Sequence, residues 1–151
     1  MLLYSQLCAA IDILLALSSL LILFFIWSGG SLGEGRKEFI LFTATMMAYF
    51  LSDGLTSLFD GFASVWFLKY TLDILYFTSG AFLGSFWLGY VWLRLGRKKN
   101  GFCFLLKSLA VVGGLVVFVL AILSYWWPIL FHLDSNGVYS RGNVFYLSSA
   151  L

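Results

Sequence analysis

SQLCAAIDILLALSSLLILFFIW, residues 5–27, decides the fold. Its only charged residue is Asp12, and its other polar residues, Ser5, Gln6, Ser18 and Ser19, are uncharged. The run is long enough for a hydrocarbon core that takes about 20 helical residues to cross. Two other readings fail. A secretory signal has a basic leader and a short apolar region; here Met1-Leu2-Leu3-Tyr4 carries no Lys or Arg, and the apolar stretch is longer and holds an acid. A barrel strand would alternate apolar and polar residues, and this run does not. It therefore reads as a membrane helix.

The same pattern recurs downstream, over about 39–59, 70–92 and 104–127, and begins again over 144–151. The last piece is too short to cross a bilayer, so the chain reads as cut inside a fifth helix. Only 11% of the 151 residues are charged and 62% are hydrophobic, whereas a soluble domain carries roughly 25% charge. Tyr125, Trp126 and Trp127 resemble interfacial aromatics, and Pro128 marks a helix end. The expectation is an all-α, polytopic membrane helix bundle: one transmembrane domain of four full transmembrane helices plus the start of a fifth.

Basic residues orient it. Arg36, Lys37, Arg94, Arg97, Lys98, Lys99 and Lys107 flank the loops after spans one and three, and the other side has only Lys69 and Arg141. Lys and Arg collect on the cytoplasmic side. The N-terminus is therefore expected outside, with loops one and three in the cytoplasm. Arg94, Arg97, Lys98 and Lys99 set topology and can meet lipid headgroups. A net charge of +2 gives no reason to expect nucleic acid. Cys8 and Cys103 fall on opposite faces in this topology, too far apart for a disulfide. With one histidine, His132, no Cys/His metal cluster forms. No phosphate loop, nucleophile elbow or other catalytic constellation is visible, so neither an enzyme activity nor a cofactor is expected of these residues.

Orientation gives the acids a common address. Asp12 and Asp53 lie within spans one and two, Asp60 caps span two and Asp73 opens span three. At 1.5 Å rise per residue the deepest is about 10 Å below the outer surface. A carboxylate within a span costs roughly 2.5–3.5 kcal/mol, so it turns inward and finds partners. Lys69, Arg141 and His132 are on the same side to serve. Above them runs the one long polar segment, FHLDSNGVYSRGNVFY, residues 131–146. Its Asn136-Gly137 pair is a strong turn signal and predicts a short hairpin over the helix ends, with Gly142 releasing the chain into the next span. A calcium loop starting at Asp134 would need Glu at its twelfth position, which is Phe145. The candidate ligand-binding residues are Asp12, Asp53, Asp73, Asp134, Tyr139 and Arg141. Gly80 with Gly84, and Ala110 with Gly114, are small-residue pairs that let helices approach, within the bundle or in a homodimer.

The pattern Phe131-x-Leu133-Asp134-x-x-Gly137-x-Tyr139-x-Arg141-Gly142, leading into an aromatic helix, resembles the multi-span N-terminal sensor region of bacterial membrane histidine kinases and diguanylate cyclases. In that family such a hairpin joins the fourth and fifth of about seven spans. Asn143 departs from the Pro that often follows the Arg-Gly pair. The resemblance implies reception of a small-molecule or membrane-borne signal at the bacterial inner membrane, with the output enzyme downstream of Leu151. A small transporter or channel subunit, with the acids as a cation path, and a structural accessory membrane protein are the alternatives.

Overall fold

The structure is a computed structural model. It describes residues 2–29, 35–59, 62–95, 101–134 and 138–142, with backbone only for 2–5, 63, 102, 103, 106 and 107. The helices are α1 (Leu2–Trp27), α2 (Arg36–Leu58), α3 (Trp66–Arg94) and α4 (Gly101–Leu123). A 3₁₀ turn, Ala63–Val65, leads into α3, and strands β1 (Phe131–Leu133) and β2 (Tyr139–Arg141) follow α4.

Gln6–Trp27, Arg36–Leu58 and Trp66–Arg94 are long and apolar enough to cross a membrane. In α4 the apolar stretch described throughout is the shorter Ser108–Leu123. Most hydroxyls within the helices are satisfied locally, although the buried Thr56 Oγ1 has no hydrogen-bond partner among the described residues. Ser19, Thr43, Ser52, Thr78 and Ser79 each donate to the carbonyl four residues back, at 2.6–2.9 Å. Such back-bonding lets a hydroxyl sit where no water can reach it. The outward surface is apolar: Leu14 and Leu21 of α1 are 62% and 69% exposed, and Leu109 of α4 is 60%. That is more greasy surface than water tolerates on a monomer, and what a lipid environment accommodates.

Successive helices pack antiparallel, α1 on α2, α2 on α3 and α3 on α4. The registers are set by particular contacts. Gly54 lets α2 lie on α1: a Cβ there would stand 3.2 Å from the Ala9 carbonyl oxygen and 3.1 Å from Ile13 Cγ1. At the far end of the same pair, Arg36 Nη2 donates to the Ile26 carbonyl, 2.9 Å. A cation there satisfies a carbonyl near the C-terminus of α1 and opposes its dipole. Between α2 and α3 the rungs are Phe39 with Tyr90, Phe42 with Trp87 and Tyr49 with Tyr76. Between α3 and α4 they are Phe82 against Gly114 and Tyr70 against the Ala121 and Ile122 carbonyls.

The best-buried core lies at one end of this row. Tyr70 and Phe77 of α3, Val117 and Ala121 of α4, and Leu130, Phe131 and Leu133 of the hairpin segment form one cluster. The hairpin is thus part of the core rather than a tether.

Several boundaries differ from the sequence reading. Helix α4 ends at Leu123, not Trp127. Pro128 offers no N–H and disfavours helical backbone at Trp127. The chain winds off through tighter turns, Tyr125 N–H to Ile122 and Trp126 N–H to Leu123. Helix α3 begins at Trp66, ahead of Tyr70. Gly80 and Gly84 do not form one packing stripe: Gly80 faces Tyr49, and a Cβ on Gly84 would meet nothing within 4 Å. Gly142 is bonded within the hairpin: its N–H donates to the Leu130 carbonyl, 2.9 Å, and extends the ladder. The span it was expected to lead into lies outside the described residues. Asp60, Arg97, Lys98, Lys99, the Asn136-Gly137 turn, the side chains of Cys103 and Lys107, and the fifth-helix start at 144–151 lie outside the described residues.

Candidate functional site

The candidate residues converge on the hairpin end. The strands pair antiparallel, with Phe131 opposite Arg141, His132 opposite Ser140 and Leu133 opposite Tyr139. Asp134 closes the ladder, its N–H bonded to the Val138 carbonyl at 3.1 Å and its Oδ1 accepting the Val138 N–H at 2.8 Å. That bond gives Asp134 a local, turn-forming role. Alternation along β1 buries Phe131 and Leu133 and turns His132 outward.

The hairpin is held from below by a hydrogen bond to Ser124 and a stack of rings, on a helix end that Tyr70 braces. Ser124 Oγ accepts the Leu130 N–H, 3.0 Å, and donates to the Leu120 carbonyl, 2.8 Å. The Tyr70 hydroxyl is 3.0 Å from the Ala121 carbonyl and 2.8 Å from that of Ile122. These are two of the carbonyls that a helix C-terminus leaves over. Phe131 is fully buried and lies parallel to Phe77, centroids 5.4 Å apart at 5°. Tyr139 stacks on its other flank at 6.3 Å. Phe77 meets Tyr76 edge-on, and Tyr76 stacks on Tyr49 at 4.7 Å with a 3.0 Å hydroxyl–hydroxyl hydrogen bond. An unbroken aromatic chain therefore runs from β2 through β1 and α3 to α2.

Acids border this chain. Lys69 and Asp73 are one turn apart on α3, 0% and 3% exposed, and both are engaged with their surroundings. Asp73, Arg141 and Asp53 all lie within electrostatic reach of Tyr139. The backbone approach at Gly54 puts Asp12 Cβ 3.3 Å from the added-Cβ position. It thus sets Asp12 beside Asp53, close enough for their charges to act on each other. Asp12, Asp53, Asp73, Tyr139 and Arg141 thus occupy one end of the molecule. Lys69–Tyr70–Asp73–Tyr76–Phe77 was legible as a 3–4 spaced face of α3. Tyr49, Tyr70 and Tyr76 carry no signal in the sequence that separates them from the other aromatics of the chain. Among the described residues no group of three His, Cys, Asp or Glu side chains could hold a metal ion.

Half-burial of Tyr139, with Asp73 next in importance, pushes its hydroxyl from the usual 10.0 up to about 12. A raised acid pKa in the folded state means that the fold holds the proton more tightly than the unfolded chain does. The stabilisation is complete below pH 10 and is lost as pH rises toward 12. Subtracting the ultraviolet phenolate titration of Tyr139→Phe from that of the native protein should leave one tyrosine ionising near pH 12. A difference curve centred at 10 would place the Tyr139 hydroxyl in water.

No known protein family, curated protein or solved structure matches this chain.

Proposed function

We propose that the chain is a multi-pass, membrane-embedded signal-reception domain of the bacterial inner membrane. In this reading four helices cross the bilayer, the N-terminus and hairpin face outward, and the output domain lies downstream. The observation that carries the reading is the coupling of the hairpin to the helices. A group that binds at the hairpin can reach half-buried Tyr139, which stacks on the buried Phe131, and through Phe77 and Tyr76 the rings reach α2. A signal acts only by binding one arrangement better than another. A small polar or cationic molecule has something to bind here, since Asp12, Asp53 and Asp73 surround this end with Arg141 and Tyr139 above. A cation path through the membrane would need polar groups through its depth. The α2–α3 contact in the opposite half is instead Phe39, Phe42 and Trp87 with Tyr90.

The test is a fusion of the chain to a histidine-kinase output domain in bacterial membranes, with kinase output read while the outer medium is varied. Asp53→Asn and Arg141→Gln are expected to abolish or shift the response, with membrane insertion unchanged. An unaltered response in both variants would exclude this end of the bundle as the receiving site.

A further inference from the structure

The opposite end of the α2–α3 pair carries a second feature, independent of the hairpin. Between these helices lies an open groove of about 280 Å³ lined by Phe42, Leu83, Gly84 and Trp87. Its lining is apolar, and its floor exists because residue 84 has no side chain: a Cβ there would meet nothing within 4 Å. Toward the helix ends the wall continues as rings, Phe42 on Trp87 at 5.1 Å, Trp87 on Tyr90 at 5.9 Å and Tyr90 on Phe39 at 4.9 Å. It finishes at an exposed cation. The Arg94 guanidinium lies 5.7 Å from the Tyr90 ring centroid and its Nε donates to the Tyr90 hydroxyl, 3.2 Å.

We propose that this groove holds one acyl chain of an anionic phospholipid whose phosphate is bound by Arg94. Three observations fit that occupant. The ten residues from Gly84 to Arg94 rise about 15 Å, which is the depth of one leaflet, half of a hydrocarbon core about 30 Å thick. Polarity runs the right way, from apolar at Gly84 through Trp87 and Tyr90 to the cation, as lipid runs from tail to headgroup. Stacking on Tyr90 fixes the Arg94 fork, and four N–H donors remain for a phosphate, which guanidinium takes two at a time. The volume suits a segment of one chain, not a whole lipid.

The test uses purified full-length chain in detergent. Native mass spectrometry compares retention of phosphatidylglycerol and phosphatidylcholine with identical acyl chains. The native protein is expected to retain phosphatidylglycerol about fivefold better, the preference that one basic residue at a membrane surface supplies. Arg94→Gln, at an exposed position, should bring that ratio to one. Gly84→Leu starts from a Cβ in open space, extends into the groove toward Phe42 and Trp87, and should lower retention of both lipids by a similar factor. Loss of lipid in Gly84→Leu with hydrogen-exchange protection of the hairpin unchanged confirms occupancy of the groove rather than unfolding. Native-like retention in Gly84→Leu, or a preference that survives Arg94→Gln, overturns the proposal and leaves only ordinary surrounding lipid.

Discussion

Phe131→Ala is expected to release the hairpin, seen as amide exchange at Leu130 and Gly142 at least a hundredfold faster than in the native protein. The Leu130 N–H bond to Ser124 Oγ exists only while the segment is docked, and the Gly142 N–H bond to the Leu130 carbonyl belongs to a two-stranded ladder too short to persist by itself. Phe131 is 0% exposed and contacts Tyr70, Phe77 and Tyr139 ring to ring. Truncating a buried Phe to Ala costs roughly 3–5 kcal/mol when the surroundings cannot collapse. Here they cannot collapse freely. Tyr70 is fixed by its bonds to α4, and Phe77 belongs to a helix interior. Every 1.4 kcal/mol is tenfold in a local opening equilibrium, so even the low end exceeds a hundredfold. Exchange across α1 and α2 should stay native-like, because neither packs on Phe131. Equal acceleration in all helices would mean that the hairpin core supports the whole bundle. No acceleration would mean that the ring stack does not hold the hairpin.

How much of this was legible beforehand depends on which signal carries it. Helices α1 and α2 follow from long apolar runs, each holding one internal aspartate, and a run of that kind has one interpretation in a membrane. Helix α4 stops at Leu123, short of Trp127, although Tyr125, Trp126 and Trp127 bring no charge that would mark an end. Hydropathy does not register the backbone restriction that Pro128 imposes on its predecessor. Whether α4 crosses the bilayer rests on the same stretch of sequence. Of the candidate site, the acids stood out because a charge is conspicuous in a greasy chain. Asp12 and Asp53 were placed on one side by counting residues from the helix ends, and the contact at Gly54 brings them together. The aromatic chain was not legible. In a sequence that is 20% aromatic, nothing in the identity of Tyr49 or Tyr76 separates a ring packed on a ring from one that faces lipid. Only the crossing of α2 over α3 does so. At Gly80 and Gly84 geometry separates what spacing groups together: within the chain Gly80 meets Tyr49, and Gly84 meets no described neighbour.

Gly142→Ala tests the hairpin from the backbone side and should be nearly as damaging as losing the Phe131 ring. A Cβ at residue 142 would overlap the Ile129 carbonyl oxygen and stand 2.7 Å from the Leu130 carbonyl carbon. These are main-chain atoms, so no rotamer change relieves the overlap. The segment Ile129–Leu130 or strand β2 must move away instead. Overpacking of this kind costs about 1–3 kcal/mol, and a broken Gly142 to Leu130 hydrogen bond adds about 1 kcal/mol. Gly84→Ala is the matched control. It adds the same methyl group in open space, and in a helix interior the change from Gly to Ala is worth up to about 1 kcal/mol in favour of the fold. The two substitutions therefore have opposite expected signs from identical chemistry. Thermal unfolding in detergent reports the overall effect, and hydrogen exchange at Leu130 locates it. If Gly142→Ala proves as harmless as Gly84→Ala, strand β2 does not lie against Ile129. The route from the hairpin to Phe77 and α2 would then lose its first contact, because Tyr139 reaches Phe131 only while β2 is held in that register.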